Sequence, residues 1–227
     1  MKLYELTWGP YPRRVTIYLA EKAIPNVERI AVDVMSDWKT PEILALSPAG
    51  TLPILDVGDG TAIGSSVAIL EYLEEQFPSP NMIGETAAER AVTRDLMNVI
   101  DDLTHAMANW NRCGSPLMAA YAPQSAESAA FAATGYAKKL KLLDTLVKGE
   151  FLAGSSVTIA DCMAMAILQN ADGLHGVPIP ADCPALAAWY DRFSKRPSAA
   201  PATYPPPVLE LAFGGLTGKM KASGAHV

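Results

Sequence analysis

Cysteine and histidine are scarce in this chain, with three of each among 227 residues. Cys113, Cys162 and Cys183 are odd in number, widely spaced and form no CxxC pair. That fits free thiols in a reducing compartment better than a disulfide framework. His105, His175 and His226 are scattered as well, so no zinc-ligand spacing exists and no metal is expected. Long apolar runs are missing too. Asp, Glu, Lys or Gly interrupts each run within roughly ten residues, whereas a membrane span needs about twenty. The N-terminal Met-Lys-Leu-Tyr-Glu-Leu-Thr-Trp has no apolar core followed by a small-residue cleavage site, so no signal peptide is expected and the cytoplasm is the expected location. Nor is there an excess of positive charge. Lys and Arg number 18 against 24 Asp and Glu, a net charge of -6, which argues against a nucleic-acid binder. No internal repeat is seen.

What is present is an ordinary globular composition, 50% hydrophobic and 19% charged, long enough for one large domain or two modest ones. Residues 2–8 read as a strand, Pro10 and Pro12 as a turn, and 13–23 as a helix with Val15, Ile17, Tyr18 and Leu19 on its apolar face. Pro25-Asn26 breaks that helix, and alternation over 27–34 (Val27, Ile30, Val32, Val34) predicts a parallel strand. Thr40-Pro41-Glu42 has the chemistry of a helix start. Residues 52–57 read as a strand, Gly58-Asp59-Gly60 as a hairpin turn and 61–63 as its return. Ser65-Ser66 then begins a helix over 66–77, which Pro78-Ser79-Pro80-Asn81 ends. Beyond residue 86 only helical periodicity remains, over 87–121, 125–148, 158–173 and 184–195, and the Pro- and Gly-rich tail from Pro197 reads as extended. Strands crowd the first third and helices fill the rest, which divides the chain into residues 1–78, a linker at 79–86 and a helical domain at 87–227.

Five segments in order, "GPYPRRVTIYLAEKAI", "SPAGTLPIL", "SSVAILEYLEEQFP", "FLAGSSVTIADCMAMAIL" and "CPALAAWYDRFSKRPS", resemble the glutathione transferase superfamily of bacterial type over about residues 1–200. The resemblance implies an α/β thioredoxin-like N-terminal domain that binds glutathione, an all-helical C-terminal domain and a two-fold homodimer. It implies transfer of reduced glutathione to small apolar electrophiles, a detoxification chemistry. The alternative is a non-catalytic glutathione or ligand-binding protein of the same fold.

The resemblance also assigns residues. Leu52-Pro53 stands where the family has a cis peptide, whose turn points the backbone of Leu52 at a cysteinyl peptide; read alone, Pro53 equally suits the first residue of an edge strand. Ser66 opens a helix whose N-terminus suits the γ-glutamyl carboxylate, and it equally suits an N-cap. Thr158-x-x-Asp161 is read as a structural capping box. Three positions depart from the family. Gly9 stands where a thiol-activating Ser or a Cys is usual, which also argues against thiol exchange through a protein thiolate. Thr51 replaces a common Lys, leaving Lys39 or Trp38 for the glycyl carboxylate, and Ser65 replaces Glu or Gln beside the γ-glutamyl amine. For the missing donor to the sulfur, Thr7 and Tyr11 are preferred. Tyr4 fits a core aromatic as well, and Arg14 fits either a source of positive potential or a solvated helix residue. The electrophile pocket is expected between the domains, with Trp8, Met107, Trp110 and Cys113 as candidates and Asn111 and Met118 beside them.

Overall fold

The structure is a computed structural model and describes residues 1–33 and 39–218. Val34, Trp38 and His226, named above, lie outside the described residues. Four strands form one sheet in the order β2-β1-β3-β4: β1 (Lys2–Glu5), β2 (Glu28–Ala31), β3 (Ile54–Asp56) and β4 (Ala62–Ile63). β1 pairs in parallel with β2 and antiparallel with β3, and β3 pairs antiparallel with β4. Helix α1 (Pro10–Lys22) connects the parallel pair, α2 (Pro41–Leu46) precedes β3, and α3 (Ser66–Gln76) follows β4. This is the thioredoxin-like arrangement. The ladder stops at Glu5–Ala31, and the Gly9 N–H then bonds the Leu6 carbonyl at 2.9 Å. The first strand is therefore shorter than its apolar run.

The remainder is helical: α4 (Ala87–Gly114), α5 (Ala126–Leu146), α6 (Ile159–His175), α7 (Pro184–Phe193) and α8 (Pro206–Ala212), with 3-10 turns at Pro116–Met118 and Pro197–Ala199. Two readings are corrected here. The helix expected over 87–121 ends at Gly114, because Pro116 withholds the N–H that would continue it. The tail is not wholly extended. Pro206 and Pro207 sit in the first turn of α8, where a missing N–H costs nothing, and Val208 and Ala212 fall on one buried face.

One apolar core runs through sheet and helices, from Leu3, Ile17 and Leu70 through Ile100 to Met163, Ile167 and Trp189. α6 is buried on nearly every side, as a helix apolar all round must be. Asp161 is fully buried at its start and accepts bonds from the N–H of Leu152 (2.9 Å), the N–H and hydroxyl of Thr158 (both 2.8 Å) and the indole of Trp189 (2.8 Å). Glu74 plays the same part between α1 and α3. It takes the Tyr18 hydroxyl at 2.5 Å, the Met82 N–H at 2.9 Å and the Lys22 ammonium at 2.9 Å. Arg196 closes the far seam with two 2.7 Å bonds to Glu21 on α1.

Candidate functional site

α1 starts at Gly9, in extended backbone at φ -72° and ψ 139°. Its first turn places Tyr11 and Arg14 three residues apart, on one face. The Arg14 guanidinium lies 4.8 Å from the centre of the Tyr11 ring, and His105 on α4 lies 6.5 Å from that ring between centroids. Burial pushes the Tyr11 hydroxyl above its ordinary range, Arg14 pulls it back, and Asp101 raises it again. A phenol is protonated at neutral pH in any case, and the net rise acts in the same direction, so Tyr11 can donate a hydrogen bond.

Arg14 is not a solvated helix residue. It is completely buried and holds the floor of a cleft. Its Nη1 lies 2.5 Å from Asp101 Oδ1 and 3.4 Å from Ser66 Oγ, while Nη2 donates to Thr104 Oγ1 at 2.7 Å. One cation therefore joins α1, α3 and α4. Burial lowers its pKa and the Asp101 carboxylate opposes the change, so the charge persists because its partner is in contact.

Beside that cation α3 opens with Ser65 as N-cap, yet no side chain caps its first amides. By contrast, Thr86 and Ser125 cap α4 and α5. A helix start with uncommitted N–H groups next to a guanidinium is a ready anion site. The Leu52–Pro53 peptide is cis. The β1–β3 ladder begins at Ile54, so Leu52 stands just beyond it, where an extended peptide could continue the pairing.

These parts enclose a cavity of about 680 Å³. It brings together Tyr11, Leu52, Pro53, Ser65 and Ser66 from the sequence reading, with Arg14, Asp101 and His105 in addition. Lys39 stands beside it: a Cβ on Gly50, which lines the cleft, would come within 3.3 Å of Lys39 Cε. Other expected residues do not join the cleft. Thr7 and Trp8 line a different cavity, against Tyr204. Met107 is buried in the core. Trp110 and Cys113 line a groove at the end of α4 with Ala126, Ala129 and Leu216. The physical reason is helical geometry: Asp101 and His105 are four apart and share a face of α4, while Trp110 and Cys113 are turned off it. Tyr4 pairs within the sheet opposite Ile30 and Ile54. Among the described residues no cluster of His, Cys, Asp and Glu is arranged to hold a metal, and no helix is long and apolar enough to cross a membrane.

A cis-proline cleft at the edge of a thioredoxin-like sheet, walled by α4 of the helical part, defines a two-part protein of thioredoxin-like and helical architecture. Residues 8–76 match the model of the glutathione S-transferase N-terminal domain, and residues 87–192 match that of the C-terminal domain. The chain is 31% identical over 206 residues to glutathione S-transferase 2 of Saccharomyces cerevisiae, covering 87% of each. It is 33% identical over 165 residues to a maleylacetoacetate isomerase of Dictyostelium discoideum, covering 70% of this chain and 74% of that one. The crystal structure of Gtt2 from Saccharomyces cerevisiae superposes with a TM-score of 0.78 at 30% identity, covering 88% of this chain and 98% of that one. The chain belongs to the glutathione transferase superfamily.

Proposed function

We propose that this protein transfers reduced glutathione to small apolar electrophiles. The observation that carries the reading is the joint placement of the cis Leu52–Pro53 turn, the uncapped start of α3 and Tyr11 around one cavity. The γ-glutamyl carboxylate sits on the first amides of α3 and Ser66, and Arg14 beneath them adds positive potential. The cysteinyl backbone pairs with Leu52, and the glycyl carboxylate lies toward Lys39. Asp101, beside Ser66 in the lining, faces the amine that Ser65 can bond only weakly.

Gly9 supplies no side chain to the sulfur. Tyr11, held protonated, donates to it and stabilises the thiolate, and the His105 imidazole across the cleft takes the proton. The sulfur lone pair then forms the S–C bond while the leaving group departs with its electrons, or an epoxide ring opens. Residues 1–78 form the glutathione-binding domain, 79–86 the linker and 87–227 the helical domain in this reading. Two chains pair about a two-fold axis in the cytoplasm, and sedimentation is expected to give a dimer.

The test is conjugation of an aryl halide and an epoxide. Tyr11→Phe is expected to lower kcat/KM by about 10- to 100-fold with an unchanged melting temperature. Absence of turnover across a broad panel would sink the catalytic reading. A second reading, glutathione or ligand binding without chemistry, is favoured by the missing side chain at Gly9. It predicts a calorimetric binding signal with no conjugate formed.

A further inference from the structure

A second cavity, of about 480 Å³, is lined by residues from 81–93, the approach to α4 and its first turns, and from 148–158, the loop that joins α5 to α6. It shares no lining residue with the cleft. Its volume falls within the range of small-molecule sites.

Both segments are held from within. In the first, Glu89 accepts the amides of Glu85 and Thr86, each at 2.9 Å, and Thr86 caps α4 in return. Asn81 Oδ1 accepts the amides of Ile83 at 3.1 Å and Gly84 at 2.6 Å. In the second, the Phe151 N–H bonds the Gly154 carbonyl at 2.8 Å, and Asp161 holds the amides of Leu152 and Thr158. Gly149 packs so tightly there that a Cβ would come within 2.7 Å of the Gly154 carbonyl oxygen. The backbone around the cavity is therefore preorganised, and little entropy remains to be lost when a ligand enters.

Other polar groups of the lining are uncommitted, and they choose the ligand. The side chains of Lys148 and Glu85 make no ion pair or hydrogen bond among the described residues, with each other or with any third group. The hydroxyls of Thr93, Ser155 and Ser156 have no hydrogen-bond partner among those residues either, although Thr93 is only 2% exposed. The N–H groups of Ser155, Ser156 and Val157 bond no described residue. Val92 and Val157 add apolar surface. A phosphate dianion would meet the carboxylates of Glu85 and Glu89 against a single lysine. One ammonium and one carboxylate, both unspent, suit instead a ligand that carries one charge of each sign, and a row of free amides suits a terminal carboxylate. We infer that this cavity binds a short apolar peptide as a zwitterion, its carboxylate at Lys148 and the amides of residues 155–157, its ammonium at Glu85 and its side chains on Val92 and Val157.

The experiment titrates the full chain by calorimetry, without glutathione, with leucyl-leucine, N-acetyl-leucyl-leucine and leucyl-leucinamide. Saturable binding of the free dipeptide is expected, at least about fivefold tighter than either capped form. Glu85→Gln should erase the discrimination against the acetylated form, and Lys148→Met the discrimination against the amide. Both replace exposed side chains that bond nothing, so each variant should melt within about two degrees of the parent. Asp101→Asn, in the cleft, should leave the affinity unchanged, so the result stands whether or not the cleft takes glutathione. No saturable binding, equal affinity for the three peptides, discrimination that survives both variants, or a loss on Asp101→Asn would each overturn the inference, the last by placing the peptide in the cleft.

Discussion

At the scale of single residues, Arg14 shows how a letter alone leaves a side chain's role open. In sequence it is one of two adjacent arginines in a helix, and its letter suits a source of positive potential as well as a solvated residue. Its position relative to Tyr11 and Tyr18 carried the missing signal, because residues 11, 14, 15 and 18 make one stripe of a helix and Val15 and Tyr18 are apolar core. Removing such a cation leaves Asp101 and Thr104 without their partner. Arg14→Met is expected to cost about 3 kcal/mol in urea unfolding and to weaken glutathione binding, and Arg14→Lys is expected to restore only part of either. Gly9 allows the opposite experiment. Its backbone suits any residue, and the nearest atoms to an added Cβ are Leu6 Cδ2 at 3.2 Å, Pro12 Cδ at 3.3 Å and Leu6 Cβ at 3.4 Å, a tight fit that small shifts of these side chains relieve. Gly9→Ser should therefore fold with a melting temperature within a few degrees of the parent. If the new hydroxyl reaches the sulfur, thiolate absorbance of bound glutathione will appear at lower pH.

At the scale of elements, most of the architecture was legible because period and punctuation agreed. Alternation, helical period, proline breaks and, for α5, a Ser cap located β1, α1, α3 and α5 to within a few residues. The Thr158–Asp161 motif was legible as a helix start. Its further bonds to Leu152 and Trp189 were not, since those partners lie far along the chain. Asp161→Ala strands these donors in the core and should destabilise by about 3 kcal/mol in a thermal or urea melt, while Asp161→Asn, which keeps an acceptor, should cost less. Two elements misled. In α8 the proline run masked the Val208–Ala212 spacing. In α4 the search for an apolar wall favoured Met107, Trp110 and Cys113, whereas the i, i+4 pair Asp101 and His105 is what the helix turns to the cleft. A site assembled from a helix face is found by spacing, not by residue type.

At the scale of the whole molecule, sheet and helices share one core and are joined by Arg14–Asp101 and Arg196–Glu21, so a single cooperative unfolding transition is expected. Its pH dependence has an identifiable contributor. Burial holds the His175 imidazole down at about 4, against an ordinary value of 6.5. The unfolded chain therefore binds one more proton than the folded one between those values. Stability from this group is complete above about pH 6.5 and declines as pH falls toward 4, by up to about 3 kcal/mol. His175→Gln should flatten that part of the curve. The bare opening of α3 has a practical corollary as well. If these amides hold a carboxylate as proposed, they are expected to accept phosphate or sulfate too, which would make the protein responsive to its buffer. Phosphate should raise its melting point by mass action and, in the same range, act as a competitor that raises the apparent KM for glutathione.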